Sequence, residues 1–273
     1  MEQRRSKDKS KKAKLLDRER TMDTSWIKRA LCIAALPLFL QGCEKSKDPQ
    51  TYLAQATQEY EEEDYEQSLI HLKSALKMDP SHAQVRRLLA DVWFKLGEAK
   101  ACVEELQKAE DLGINPNHLL LTRARCLLVQ NDFDTLLALH YTGNLLKISN
   151  QDKAILYALK AQASLKKHQF NQALDYLDQA EETMDDLSEV KWTKALWLAH
   201  QNQIEDAMDL IRELTEKEPK DAKIWALKGD LYRLQQKPSH AEMSYSKALL
   251  TATNRLDQRD YYLYRALTRV FLN

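Results

Sequence analysis

Small residues recur in this 273-residue chain at a fixed step of 34 positions. The first series slips by three residues between its third and fourth members, and it consists of Ala56, Ala90, Ala124, Ala161, Ala195 and Gly229. A second series keeps the same step and the same slip, and it consists of Ser68, Cys102, Leu136, Ala173, Ala207 and Ala241. Two series in one register predict a structural unit of about 34 residues that stacks on copies of itself.

A unit of this length accommodates two helices of about 14 residues and two short turns. Helices approach to about 8–10 Å where small side chains meet, so the two series mark the crossing of helix A and helix B in each unit. The sequence therefore predicts an all-α superhelical solenoid of about six helix–turn–helix repeats followed by a capping helix. The predicted repeats are 49–82, 83–116, 117–153, 154–187, 188–221 and 222–255, and the predicted capping helix is 256–273.

The repeat 222–255 shows the pattern most completely and resembles the tetratricopeptide (TPR) consensus. The residues that carry this resemblance are Trp225, Leu227, Gly229, Tyr232, Ala241, Tyr245 and Ala248. The third repeat is predicted to be irregular, with the three extra residues near Tyr141, Gly143 and Asn144. The resemblance implies a scaffold that binds a protein or a peptide segment in its concave groove.

The N-terminus carries an apolar run from Ala30 to Leu40, preceded by Lys28 and Arg29. This run is too short to span a bilayer, which takes about 20 residues, and it fits the core of a signal peptide. Leu40-Gln-Gly-Cys43 resembles a bacterial lipobox, which implies that residues 22–42 are a lipoprotein signal peptide and that Cys43 is lipidated. Residues 43–48 are then a tether, and Glu44 favours delivery to the outer membrane, facing the periplasm.

Residues 1–21 form a polar extension that is long for the start of a signal peptide. We hypothesise that Met22 is the true initiator, so that the extension is not translated; the alternative is a basic disordered tail. Residues 1–42 hold 11 basic and 5 acidic residues, which leaves 30 basic and 36 acidic residues in the remainder. This mildly acidic remainder argues against binding of nucleic acid.

Cys102 and Cys126 are the two cysteines of the predicted solenoid. Helix B of the second repeat is expected to pack on helix A of the third, so a disulfide between these cysteines is permitted in the periplasm. Because Cys102 occupies a small-residue position of the second series, we favour a buried thiol over a disulfide.

Residue patterns typical of catalysis or of metal binding are missing from the sequence. The seven histidines are scattered, and there is no HExxH, GxSxG, Cys-x-x-Cys or phosphate-binding glycine loop. We therefore predict a protein that is not an enzyme and that uses neither a cofactor nor a metal.

The concave surface of such a solenoid is lined mainly by helix A side chains outside the small-residue contact. Positions on that face predict a partner-binding set of Arg87, Asp91, Lys95, Arg125, Gln162, Trp192, Asp230 and Arg233. Trp192 is the candidate aromatic anchor for a partner, and packing against neighbouring helices is the alternative. Arg87, Asp91 and Lys95 stand four residues apart, and they fit intrahelical ion pairs equally well.

The first two repeats resemble the start of the PEP-CTERM system TPR-repeat lipoproteins. The segments that carry this resemblance are 65–80 (YEQSLIHLKSALKMDP), 86–98 (RRLLADVWFKLGE) and 104–113 (EELQKAEDLG). It implies a role in exopolysaccharide production and in the sorting of exported proteins. The alternative is an assembly lipoprotein for type IV pili or for outer-membrane proteins, whose size fits this chain better.

Overall fold

The computed structural model describes residues 48–143, 148–253 and 255–270, with the side chains of residues 255 and 256 excepted. The expected N-terminal extension, the signal peptide and the lipid site at Cys43 lie outside the described residues. Residues 48–270 belong to one compact unit, and the fold below concerns that unit.

The described residues form thirteen helices and no strand. In chain order these are α1 Pro49–Glu61, α2 Tyr65–Met78, α3 Ala83–Lys95, α4 Ala99–Asp111, α5 Pro116–Gln130, α6 Phe133–Ala138, α7 Asn150–Lys166, α8 Phe170–Met184, α9 Ser188–His200, α10 Ile204–Lys217, α11 Ala222–Leu234, α12 Pro238–Thr251 and α13 Arg255–Val270. The predicted all-α solenoid of six helix pairs and a final helix is confirmed.

Several helices begin where the sequence supplies an N-cap. Asp48, Asp64, Asp132, Ser149 and Asp221 each accept a hydrogen bond from a backbone N–H in the first turn of the following helix. Such caps satisfy backbone donors that have no partner inside a helix. Proline additionally occupies the first helical position of α1, α5 and α12, where its missing N–H costs nothing.

The odd-numbered helices form one layer and the even-numbered helices form the other. Each odd-numbered helix packs against the next odd-numbered helix, from α1 with α3 through α11 with α13. Each even-numbered helix packs against its sequence neighbours and against no other even-numbered helix among those described. The odd-numbered helices therefore make the continuous inner layer of the solenoid.

Both small-residue series are buried where helices A and B of a pair cross. Every member of the two series is buried. In the first pair the Ser68 hydroxyl donates to the Ala56 carbonyl at 2.8 Å, which shows how closely α1 and α2 approach. In the last pair a Cβ added at Gly229 would lie 2.6 Å from the ring of Tyr245.

The third pair is the irregular one among the described helices. Its helix B, α6, has six residues and ends at Ala138, and α7 begins at Asn150, inside the range predicted for the third repeat. The segment after α6 is fixed by side chains of the inner layer: the Asn117 amide exchanges two hydrogen bonds with the Thr142 backbone, at 2.9 and 3.0 Å. The Tyr141 hydroxyl donates to the Asp152 carbonyl at 3.2 Å.

Cys102 and Cys126 form a disulfide, so the expectation of a buried thiol is wrong. Cys102 lies in α4 and Cys126 in α5, and their Cα atoms are 6.5 Å apart, within the range that a disulfide spans. The small-residue position of Cys102 lies against helix A of its own pair. It also lies against helix A of the next pair. The bond therefore joins the second pair to the third.

Within the part of the chain that the structure describes, no helix is both long enough and apolar enough to cross a bilayer.

Candidate functional site

The inner layer encloses a groove of about 640 Å³, which we call the central groove. Its wall takes residues from every helix pair and from α13. It is lined by Tyr60, Glu63, Asp91, Phe94, Lys95, Thr122, Arg125, Leu128, Val129, Leu159, Gln162, Glu189, Lys220, Asp221, Ala222, Lys223, Thr251, Thr253 and Asp257. Both polar and apolar side chains line this wall, which suits a polypeptide with both kinds of group.

Asp91 makes the first polar cluster of the central groove. Its carboxylate accepts a hydrogen bond from the Thr122 hydroxyl of the next inner helix at 2.9 Å, and Arg87 lies 3.6 Å away on its own helix. Burial raises the pKa of the Asp91 carboxyl, although Thr122 and the nearby arginines oppose that rise. Burial and the charge of Asp91 likewise raise the pKa of Tyr60 to about 12, so this phenol remains a hydrogen-bond donor at neutral pH.

Glu189 makes the second polar cluster. It accepts a hydrogen bond from Gln162 at 2.8 Å and from the Lys223 ammonium at 2.6 Å, and thereby connects α7, α9 and α11. Burial alone would raise the pKa of Glu189, but the positive charge and hydrogen bond of Lys223 outweigh it, so the pKa is lowered. Gln162 also donates to the Thr193 hydroxyl at 2.8 Å.

Arg125 lies between these two clusters, and it differs from their charged groups in its lack of a bonded partner among the described residues. Within the described part of the chain no hydrogen bond or ion pair is made by its guanidinium, although it acts electrostatically on Asp91, Glu189 and Lys223. Its side chain is half-buried in the groove wall. A guanidinium in this position can accept a carboxylate of an occupant without first losing a partner.

Four of the eight predicted binding residues line the central groove: Asp91, Lys95, Arg125 and Gln162. Lys95 places its ammonium 5.8 Å from the ring centroid of Tyr65. Arg87 adjoins the groove through its ion pair with Asp91.

The other three predicted residues lie elsewhere. Trp192 packs against the core of the fifth and sixth pairs, its indole N–H donates to the Lys223 carbonyl at 3.2 Å, and the Lys223 ammonium lies 5.5 Å from its ring. Asp230 accepts a hydrogen bond from the Tyr245 hydroxyl at 2.7 Å and pairs with Arg233 at 3.5 Å. Arg233 lines a separate cavity of about 380 Å³ with Gln236, Pro238 and Thr268.

Glu189 and Lys223 are groove residues that the sequence-based set omits. They stand 34 residues apart, so they occupy the same register position in neighbouring pairs, and their charges are opposite. Opposite charges at one register position of adjacent repeats are the signal that could have identified them. The described residues hold no cluster of His, Cys, Asp or Glu side chains able to bind a metal ion.

Two segments of the chain, residues 59–115 and 164–231, match the tetratricopeptide repeat family model. Among solved structures, the fold is similar to a tetratricopeptide repeat protein from Parabacteroides merdae, with 14% identity, 95% of this chain and 96% of that chain covered, and a TM-score of 0.64. It is also similar to PilW, a widely conserved type IV pilus biogenesis factor, with 15% identity, 78% and 97% covered, and a TM-score of 0.51. Pseudomonas aeruginosa pilF matches with 18% identity, 79% and 96% covered, and a TM-score of 0.50. No curated protein matches the sequence.

Proposed function

We propose that this chain, which matches the tetratricopeptide repeat family model over residues 59–115 and 164–231 and has a similar fold, is a non-catalytic scaffold that holds a segment of a partner protein in its central groove. The observation that carries this proposal is the groove itself, which takes wall residues from all six pairs and presents Arg125 without an ion pair among the described residues. A surface assembled from many repeats is suited to binding an elongated partner. The charged groups next to Arg125 are already paired, so this guanidinium favours an occupant with an acidic group.

Affinity purification after crosslinking in cells tests the proposal. An Arg125→Glu variant should lose the partner, because a carboxylate would replace the guanidinium in the groove wall. The matched control is Arg212→Glu, since Arg212 is exposed on the outer helix α10 and pairs with Asp209 of the same helix. Recovery of the same partner from Arg125→Glu and from the native chain would count against the groove as the binding surface.

We further propose that the scaffold is a lipid-anchored protein of the bacterial cell envelope, held through Cys43 and facing the periplasm. The lipobox-like sequence before Cys43 supports this, and so does the Cys102–Cys126 disulfide, because disulfides persist in oxidising compartments. Membrane fractionation of cells that express Cys43→Ala tests the anchor. The native chain should sediment with outer membranes, the Cys43→Ala chain should be released from them, and equal sedimentation of both would refute the anchor.

For the pathway, the resemblance of segments 65–80, 86–98 and 104–113 supports a link to exopolysaccharide and protein-sorting machinery. An assembly role for type IV pili is the second candidate. The share of each relative that aligns favours this candidate, because PilW and pilF align with this chain over 97% and 96% of their own lengths. Their sequence identities to this chain show the fold alone. Mass spectrometry of the crosslinked partner distinguishes the two: polysaccharide-export or sorting components support the first, and pilus components support the second.

A further inference from the structure

The last helix, α13, has apolar side chains on two opposite faces. One face packs into the solenoid: Tyr261 and Thr268 are buried, and Tyr261 shares an apolar cluster with residues of α11 and α12. The other face is exposed, and we call it the terminal face. Its large apolar side chains are each between 39% and 71% exposed, and they are Tyr262, Leu263, Tyr264, Leu267 and Val270.

An apolar outer face is unusual at the end of a solenoid. A terminal capping element of a repeat protein normally has a polar outer face, because no further repeat stacks on it. No other described helix exposes more than two large apolar side chains, whereas α13 exposes five. Exposed apolar patches of this kind mark surfaces that bind a protein or a membrane. The terminal face is therefore an interaction surface.

The register of the repeats argues against a further solenoid helix as the occupant of the terminal face. Tyr261 stands 34 positions after Leu227 and both are buried, so α13 continues the register of the inner helices. Leu263 then stands 34 positions after Gly229, at the small-residue position against which helix B crosses in the six pairs. A leucine side chain fills the space that a closely crossing helix B needs.

The terminal face has the layout of a helix that lies in a membrane interface. Successive residues of an α-helix are about 100° apart, so Leu263, Leu267 and Val270 lie within about 60° of one another. Tyr262 and Tyr264 lie about 100° to either side of Leu263, at the two edges of this apolar stripe. Tyrosine is enriched at the level of lipid headgroups, because its ring is apolar and its hydroxyl is polar. The stripe therefore fits the acyl chains and its edges fit the headgroups.

The charge of α13 favours an anionic lipid. The helix contains four arginines and two aspartates, whereas residues 43–254 contain 26 basic and 34 acidic residues. The Arg265 guanidinium lies 5.4 Å from the ring centroid of Tyr262, at one edge of the stripe. The Arg259 side chain is 71% exposed and stands one turn before Leu263. An anionic surface attracts this helix and repels the acidic remainder, which orients the molecule with α13 against the lipid.

We propose that the terminal face is a membrane-binding surface, through which α13 lies in the headgroup region of an anionic lipid bilayer. The helix lies along the surface, because its apolar stripe occupies one face only and reaches no deeper than the outermost part of the acyl chains. This contact uses neither the central groove nor a lipid on Cys43. It is therefore an attachment beyond the function proposed above, and it can be measured without a partner protein.

Spin-label accessibility measurements test the proposal. A nitroxide is attached at Leu267→Cys in the full-length chain with Cys32→Ser and Cys43→Ser, which retains the Cys102–Cys126 disulfide. The matched control is Ile70→Cys, a position of similar exposure on the outer helix α2. Each labelled chain is mixed with vesicles of phosphatidylcholine and phosphatidylglycerol, and separately with vesicles of phosphatidylcholine alone.

On the anionic vesicles, the label at position 267 should become accessible to oxygen and shielded from a water-soluble nickel chelate. The label at position 70 should stay accessible to the chelate under the same conditions. Any attachment through the N-terminal apolar run brings both labelled chains to the vesicles alike. The difference between the two positions therefore reports the contact of α13 alone.

Arg259→Gln, in the chain labelled at position 267, tests the contribution of charge. The ratio of shielded to accessible label should fall about fivefold, as the loss of one basic residue near an anionic surface predicts. The matched control is Arg212→Gln, because Arg212 is also exposed and also pairs with an aspartate of its own helix. This control should leave the ratio unchanged.

Three results would overturn the proposal. In the first, position 267 is equally accessible with and without vesicles, or both labels are shielded alike. In the second, shielding is the same on anionic and on neutral vesicles. In the third, position 267 is shielded without vesicles and its spectrum broadens with protein concentration, which would show that a second copy covers the terminal face. Partner binding by the central groove is measured separately in the purification experiment, so either proposal can fail without the other.

Discussion

At the scale of single residues, the small-residue positions are matched to the side chains that cross them. Ala56, Ala90, Ala161 and Ala195 share buried clusters with a leucine or an isoleucine 16 residues later. In the last pair that later residue is Tyr245, and the small residue is Gly229, whose missing Cβ leaves room for the ring. In these five pairs glycine therefore stands where the crossing residue is aromatic, and alanine stands where it is aliphatic.

Gly229→Ala should lower the free energy of unfolding by about 1–3 kcal/mol, because the new Cβ would lie 2.6 Å from a Tyr245 ring atom. Combining it with Tyr245→Leu should restore part of that loss, since the pair then matches the alanine–leucine pattern of the other repeats and alanine favours the helix. Urea denaturation of the two single variants and the double variant measures the coupling. Additive losses would show that the two positions are independent.

A second residue-scale feature is the left-handed backbone position in the turn inside each pair. The six positions repeat with the same register as the small residues, with φ between 58° and 84°, and they are Glu63, Gly97, Asn131, His168, Asn202 and Gln236. Glycine adopts this conformation without a steric penalty, whereas other residues are strained there by about 1–2 kcal/mol. Only the second pair has glycine at this position.

Gln236→Gly should therefore raise the free energy of unfolding by about 0.5–1 kcal/mol, after allowing for the added freedom of the unfolded chain. The Gln236 side chain is exposed, so its removal exposes no core. The reverse substitution, Gly97→Ala, should lower the free energy by about 1–2 kcal/mol in the same denaturation experiment. A destabilised Gln236→Gly variant would contradict this explanation.

At the scale of helices, a disulfide and a carboxylate-centred cluster join neighbouring pairs in addition to apolar packing and other polar contacts. The Cys102–Cys126 disulfide ties α4 to α5, next to the pair with the short helix α6. The Glu189 carboxylate, with Gln162 and Lys223, ties three successive inner helices together. Both bonds oppose the sliding of one pair over the next.

Replacing both cysteines by alanine should lower the free energy of unfolding by about 3 kcal/mol, the loop-closure contribution expected for cysteines 24 positions apart. A reducing agent should destabilise the native chain by a similar amount and leave the alanine variant unaffected. Thermal unfolding with and without reductant measures both effects. Equal stability of the reduced and oxidised native chain would contradict the role of the bond.

The Glu189–Lys223 pair predicts a dependence of stability on pH. The pKa of Glu189 is lowered by Lys223, so its contribution to stability is present above the ordinary value of 4.5 and is lost as the pH falls through its folded-state pKa. Lys223→Met should lower the free energy of unfolding by about 2 kcal/mol at pH 7, because it leaves the carboxylate without its cation. Lys223 is 37% exposed, which keeps this loss below that of a fully buried pair.

The variant should also reverse the pH trend. Without Lys223, burial would raise the pKa of Glu189, so the variant should gain stability relative to pH 7 as the pH falls toward 5. The matched control is Lys220→Met, since Lys220 is exposed at the same edge of the groove. Parallel pH profiles of Lys223→Met and the native chain would contradict the assignment.

At the scale of the whole chain, the sequence predicts the helix pairs well, because the spacing of the small residues along the chain is enough to locate them. The period of 34 residues, the slip and the buried small residues follow from the need of two helices to cross closely. The position of Arg125 in the groove follows from the same register. The disulfide could not be derived in this way, because it depends on how one pair is rotated on the next.

The same limit explains the predicted residues that lie outside the central groove. Asp230 occupies the register position of Asp91, Arg125 and Gln162, but in the last pair the crossing residue is Tyr245, whose hydroxyl binds this carboxylate. Trp192 lies on the predicted helix face and is held by the Lys223 backbone and side chain. A repeat register gives the face of a helix, whereas the neighbours of a side chain depend on residues that differ between repeats.

The central claim is that partners bind through the central groove and not through the outer layer. The most direct test places a photo-crosslinking benzoylphenylalanine at Val129, which is exposed and lines the groove, and separately at Met243, which is 72% exposed on the outer helix α12. After irradiation of living cells, the account predicts a covalent adduct with a partner protein from position 129 and none from position 243. An adduct from position 243 alone, or equal adducts from both positions, would contradict it.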